Sequence, residues 1–153
     1  MIKPRLLFIS SRPLFPIIGG DQIRTVQQLE FLLEKFDVDV ILISPDKEGI
    51  DNNKEIPGVR NVFCYEIGKV RSMAQAFRFV CNSLPIQVNY YYNAYVAKQI
   101  DLILPDYKYV FCNNIRTAEY VRGKKGVKKY LDFVDAISMN YDKARHEAKG
   151  LKK

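Results

Sequence analysis

Four short stretches of this 153-residue chain combine residue types able to hold a small polar ligand. The first is SRPLFPIIGG, with a hydroxyl at Ser11, a guanidinium at Arg12 and the pair Gly19-Gly20 at its end. Glycines directly before a helix leave its first amides open to an anion or a sugar hydroxyl. The alternative is that they only permit positive φ at a loop exit. Asp21 and Arg24 follow, the acid placed to cap the helix and the Arg one turn further on. That Arg reaches either a phosphate or carboxylate with a forked pair of hydrogen bonds, or Asp21 itself. Asn113, Asn114 and Arg116 form a third group with the same choice between ligand contacts and local capping. The fourth is YLDFVDAIS, with Asp132 and Asp135 at the end of an apolar run. A carboxylate there can accept a hydrogen bond from a sugar hydroxyl or take its proton. The alternatives are an N-cap at Asp135 and an Arg partner at Asp132.

Other chemistries lack their residues. The dinucleotide fingerprint needs G-x-G-x-x-G directly after a strand, and the phosphate-binding loop of nucleotide hydrolases needs Gly-Lys-Ser/Thr; neither pattern is present. A single histidine, His146, argues against a histidine-based metal site, so no metal and no bound cofactor is expected. Cys64, Cys81 and Cys112 are odd in number and widely spaced, which fits free thiols of a cytoplasmic protein and not a disulfide framework. The formal charge is +7, and because residues 1–50 are nearly balanced the excess lies beyond them. At 48% apolar and 27% charged the chain can build a core, and its length suits one domain.

The elements that must position these residues follow from hydropathy patterning. Arg5–Ser10, Val38–Ser44, Asn61–Ile67, Lys108–Asn113 and Val127–Phe133 are short runs rich in strand formers. Between them lie stretches of helical period: Asp21–Phe36, Val70–Cys81, Asn93–Leu104 and Ile115–Arg122, with Ala136–Ala148 after the last strand. In the first of these the predicted apolar face is Ile23, Val26, Leu29, Leu33 and Phe36. Asp46–Gly58 is polar and turn-rich, so a surface loop replacing or shortening a crossover helix is expected. Strands alternating with helices predict an α/β, Rossmann-like doubly wound parallel sheet with helices on both faces. In such a sheet of order 3-2-1-4-5 the ligand crevice opens beyond the strand ends between the first and fourth strands. All four stretches then fall around one crevice.

In this order the pieces resemble the N-terminal half of a GT-B glycosyltransferase of the large retaining family 4, and within it the bacterial exopolysaccharide-type sugar transferases. The resemblance is carried by LLFISSRPLFPIIGGDQIRT, FVCNSLPIQVNYYYN, NNIRTAEYV and KYLDFVDAISMNY, and it spans nearly the whole chain. It implies one Rossmann-like domain over residues 1–153 that holds a glycan or polyprenyl-linked acceptor in cell-surface polysaccharide synthesis. The nucleotide-sugar donor would bind a second, C-terminal domain that this chain lacks, so no transferase turnover is expected of the chain alone. Carried over residue by residue, Gly19 and Gly20 would face the donor diphosphate and the transferred sugar. Asp135 would stand near the position where many relatives carry a cleft histidine, as the candidate catalytic group. Ser11, Arg12, Arg24, Asn113, Asn114, Arg116 and Asp132 complete the expected substrate-binding set.

A basic stretch adds a further expectation. Lys69, Arg71 and Arg78 flank Met73, Phe77 and Phe79 with no acid between Lys69 and Leu84. Such a surface either docks peripherally on the inner face of a membrane, where anionic headgroups attract it, or is an ordinary helix with solvated charges. Two other function classes are weaker. A nucleotide- or NAD-binding module would use Asp46 for a ribose but has no glycine fingerprint. A nucleic-acid-binding domain would use Lys124, Lys125, Lys128 and Lys129, which lack interleaved aromatics apart from Tyr130, and no nucleic acid is expected as a partner.

Overall fold

The computed structural model describes residues 3–76 and 84–133, the side chain of Arg71 excepted. Asp135, Arg78, Phe77, Phe79, Cys81, His146 and the expected helix Ala136–Ala148 lie outside the described residues. The five strands are β1 (Arg5–Ser10), β2 (Asp37–Ser44), β3 (Asn61–Glu66), β4 (Tyr109–Asn113) and β5 (Lys128–Asp132). They form one all-parallel sheet of order β3-β2-β1-β4-β5, as the doubly wound reading requires. The helices are α1 (Gly20–Lys35), α2 (Lys47–Asp51), α3 (Lys69–Ala76), α4 (Ile86–Tyr91), α5 (Ala94–Ile103) and α6 (Ile115–Ala118).

Alternation along β1 divides the core in two. Leu6 and Phe8 pack on one face with Val26, Leu29 and Leu32 of α1 and with Ile50 and Ile56. Leu7 and Ile9 pack on the other with Val96 and Ile100 of α5 and with Tyr120 and Val121. Both sides of a central parallel strand are thus covered, which is why its sequence is a continuous apolar run. The Phe8 and Phe111 rings stack with centroids 5.2 Å apart and tie β1 to β4 beneath the crevice.

Three expectations need correction. In α1 Val26 and Leu29 are buried and Leu33 and Phe36 pack against the same core, as expected, but Ile23 is 48% exposed while Gln22, Thr25 and Leu32 are buried. The helix is phased by polar contacts of its first turns, described below, and not by its apolar residues alone. Asp46–Gly58 is not purely a surface loop: it contains α2, and Ile50, Asn53 and Ile56 are buried under β2 and β3. In α3 an ordinary helix with a covered apolar side does not fit the described residues, since Val70 is 84% and Met73 60% exposed while Ser72 is buried.

The opposite, N-terminal edge of the sheet carries a buried charge. Asp39 is 0% exposed and accepts from Arg60 Nε at 2.9 Å, Asn61 Nδ2 at 2.9 Å, Arg5 Nη2 at 3.3 Å and Tyr107 Oη at 2.5 Å. Burial alone would raise its pKa, but these donors, Arg60 foremost, outweigh it and hold the carboxyl at about 2. Burial and the bond to Asp39 push the Tyr107 phenol up to about 12. The Cys112 thiol, free and buried in β4, is likewise pushed up to about 12 by burial, so it is an inert core group.

Candidate functional site

The loop Ser11–Gly19 between β1 and α1 is long for a βα connection, and it is proline-bearing. Left to itself, such a loop would expose unpaired backbone groups. Two buried carboxamides take them up. Asn53 Oδ1 accepts from Leu14 N at 2.9 Å and Phe15 N at 2.8 Å, and its Nδ2 donates to Gly49 O at 2.7 Å and to Phe15 O. Gln22 Oε1 accepts from Ile18 N at 2.9 Å and Gly19 N at 3.2 Å, and its Nε2 donates to Pro13 O at 3.0 Å and Pro16 O at 3.1 Å. The loop therefore behaves as a fixed wall with Leu14 in the core, and the Phe15–Pro16 peptide is cis.

Gly19, not Asp21, is the N-cap of α1. Having no side chain, it gives only half of a capping box, the half in which Gln22 reaches back to the Gly19 amide. The conformational explanation of the double glycine fails. Gly19 sits at φ −138°, and the positive-φ glycines among the described residues are Gly58, Gly123 and Gly126. A methyl group at Gly20 would meet nothing within 4 Å, so its own chain does not require glycine there. Neither glycine lines the cavities described next.

At the mouth of the β1–β4 crevice lies a cavity of about 100 Å³ whose rim includes Ser11, Arg12, Thr25, Asn113, Asn114 and Arg116. A second hollow of about 270 Å³ shares Ser11, Arg12, Pro13 and Gln22 with it and continues past Pro45, Asp46 and Tyr91 over the end of β2. Together they make one groove across the carboxyl ends of β1, β2 and β4. The fold thus brings together Ser11, Arg12, Asn113, Asn114 and Arg116.

Each charged group on this rim has a definite partner. Arg12 pairs with Asp21, both partly exposed. Arg24 pairs with Asp132 at 2.6 Å and not with Asp21; Gln28 Nε2 donates to the other Asp132 oxygen at 2.8 Å. Asp132 is thus an Arg partner beside the crevice, and its side chain is only 10% exposed. Asn113 Nδ2 donates to Thr25 Oγ1 at 3.0 Å, and the same hydroxyl donates to Asp21 O at 2.8 Å, which locks α1 to the end of β4. Asn114, at φ 78°, caps α6 by accepting from Arg116 N at 3.3 Å. Asn tolerates this left-handed backbone better than most residues.

Arg116 is held differently. Its Nε donates to Gln87 Oε1 at 3.2 Å, and its guanidinium lies over the Tyr91 ring, 5.0 Å from the centroid. Both partners belong to α4. Tyr120 keeps α4 in place: its hydroxyl donates to Tyr91 O at 2.7 Å and accepts from Asn93 N at 2.9 Å, and its ring stacks on Tyr92. The tyrosine run of the α4 segment thereby becomes a platform beneath one arginine. Sequence reading missed Gln22, Thr25, Asn53, Gln87 and Tyr91. Gln22 carries a legible signal, the spacing of a capping box after Gly19; the other four depend on residues far away in the chain. Compared with known proteins, the chain matches no family model, no curated protein and no solved structure.

Proposed function

We propose that this chain is the acceptor-side wall of a sugar-transfer cleft, the N-terminal domain of a retaining GT-B-type glycosyltransferase. It would work with a nucleotide-sugar donor held by a second domain and a glycan or polyprenyl-linked acceptor in cell-surface polysaccharide synthesis. The observation that carries this reading is the fixed Ser11–Gly19 wall, closed by Gln22 and Asn53, standing over the β1–β4 crevice. A wall of that kind costs little ordering when a polar ligand binds, because its backbone is already set. In this reading Ser11, Arg12, Asn113, Asn114 and Arg116 orient acceptor hydroxyls, and the Arg24–Asp132 pair braces the rim. Asp135 is the candidate group for taking a proton from the acceptor or supporting positive charge at the transferred sugar.

The test is binding of the chain to an array of bacterial surface glycans, read beside Asn114→Ala and Arg12→Ala. Binding that both substitutions weaken supports the reading. Absence of any glycan binding, with thermal stabilisation by NAD or ATP instead, would replace it by a nucleotide-binding module.

A peripheral membrane contact through α3 belongs to the same proposal. Lys69, Val70 and Met73 are all exposed on this helix, an apolar and basic pairing that suits an anionic headgroup surface. Among the described residues no helix is long and apolar enough to cross a membrane. Co-sedimentation with phosphatidylglycerol vesicles, reduced by Met73→Ser and absent with phosphatidylcholine, is the expected outcome. Equal sedimentation with both lipids would count against the contact.

A further inference from the structure

The cavity between β1 and β4 holds one guanidinium more than it has carboxylates, Asp46 lying on the second hollow only. Arg12 and Asp21 both line it and cancel, whereas Arg116 has no carboxylate partner among the described residues. Its guanidinium is nevertheless not free to swing. The bond from Nε to Gln87 fixes its plane, and the Tyr91 ring covers one face. What remains are the two terminal nitrogens, whose donors are spent on no residue described, at the edge of the cavity. An arginine oriented on two sides with its fork left open is organised for a planar or tetrahedral oxyanion.

The neighbouring groups reinforce this. Ser10, Thr25 and Asn113 spend hydroxyl and amide hydrogens on one another and on the backbone. The Asn114 carbonyl oxygen is used by the Arg116 amide, so the donor end of that side chain stays available on the same rim. Spare capacity beside Arg116 is therefore of the donating kind, which an oxyanion satisfies.

We infer that the β1–β4 crevice binds an oxyanion group of the acceptor, a phosphate ester or a carboxylate, on the Arg116 guanidinium. The identification of the ligand as an acceptor rests on the function proposed above; the oxyanion contact rests on the crevice itself. Gln87 and Tyr91 act as positioning residues, setting the plane and the height of the guanidinium.

Isothermal titration calorimetry of the full chain at low ionic strength tests this with glucose, glucose 1-phosphate, glucuronate and inorganic phosphate. At least one charged sugar should bind about tenfold or more tightly than glucose, as a charge-assisted fork requires. Preference for glucose 1-phosphate identifies a phosphate ester and preference for glucuronate a carboxylate. Arg116→Gln should abolish the advantage, Arg116→Lys should retain part of it, and Lys125→Gln, a distant surface control, should leave it intact. The inference is overturned if neither a charged sugar nor inorganic phosphate outbinds glucose, or if the advantage survives Arg116→Gln. Should Arg116→Gln fail to fold, the unsubstituted chain decides by NMR. Titration with phosphate must then shift the Arg116 Nε–H and Asn114 side-chain amide resonances, and unmoved resonances reject the site. Inorganic phosphate binding without any sugar binding would keep the oxyanion site and reject the sugar-acceptor reading. Glucose binding with no charge preference would do the reverse.

Discussion

Arg24 and Asp132 are 108 residues apart in the chain and 2.6 Å apart in the fold. The pair bridges the first helix and the last described strand across the end of β4, so it latches one side of the crevice to the other. Because Asp132 is mostly shielded and Arg24 half exposed, the two substitutions are unequal. Arg24→Ala leaves a shielded carboxylate with Gln28 alone and should cost about 1–2 kcal/mol. Asp132→Asn keeps an acceptor for Gln28 and should cost less, under about 1 kcal/mol. Urea unfolding of both variants checks the order, and equal losses would show that the latch is not set by the buried partner.

Asn53 and Gln22 should behave as structural keys of the crevice wall. Asn53→Ala removes the acceptor for Leu14 N and Phe15 N, of which the former is buried. A loss of about 2–3 kcal/mol is expected, from stranded backbone donors as well as missing bonds. Hydrogen exchange at Leu14 and Phe15 should accelerate far more than exchange in β4. Uniform acceleration across the sheet would mean that Asn53 supports the whole fold and not the wall.

The glycines separate packing from function. At Gly49 a methyl group would collide with Pro13 and with the Asp46 carboxylate, and the site is buried, so Gly49→Ala should cost about 1–3 kcal/mol through overpacking. At Gly20 the methyl meets open space at the start of α1, so Gly20→Ala should be neutral or stabilise by up to about 1 kcal/mol. Because Gly20 lies outside the acceptor groove, the same variant should bind glycan as the parent chain does. Weaker glycan binding would bring the double glycine into the acceptor site.

The Asp39 cluster sets an acid limit. Its folded-state pKa lies at about 2, below the unfolded carboxylate value, so its contribution is present above the unfolded pKa and is lost as pH falls through about 2. Between pH 5 and pH 2 the native chain should lose about 2 kcal/mol that Asp39→Asn does not lose. Parallel urea titrations at the two pH values measure the difference. Identical losses in the two proteins would place the acid sensitivity elsewhere.

How much of this was legible beforehand differs between layers of the molecule. The five strands lie within a residue of the runs that predicted them: the inner strands because burial on both faces demands a nearly continuous apolar run, and the half-buried or exposed edge strands β3 and β5 because turn residues bound them. Strand order followed from alternation with helices, which restricts a parallel sheet to few topologies. In α1 the expected face holds at Val26, Leu29, Leu33 and Phe36 and fails at Ile23, since hydropathy cannot see that Gln22 and Thr25 are drawn inward by the loop backbone and by Asn113.

Local pattern alone thus determined the α/β architecture and placed Ser11, Arg12, Asn113, Asn114 and Arg116 at the β1–β4 edge. Which of them are engaged was decided only in three dimensions. Arg24 and Arg116 look alike in the sequence, each an Arg opening a helix after a strand. Yet β5 delivers a carboxylate to the first, while α4 delivers a neutral amide and an aromatic ring to the second. Partner choice depends on which side chains the sheet order brings within bonding distance, and those partners lie 25 to 108 residues away along the chain.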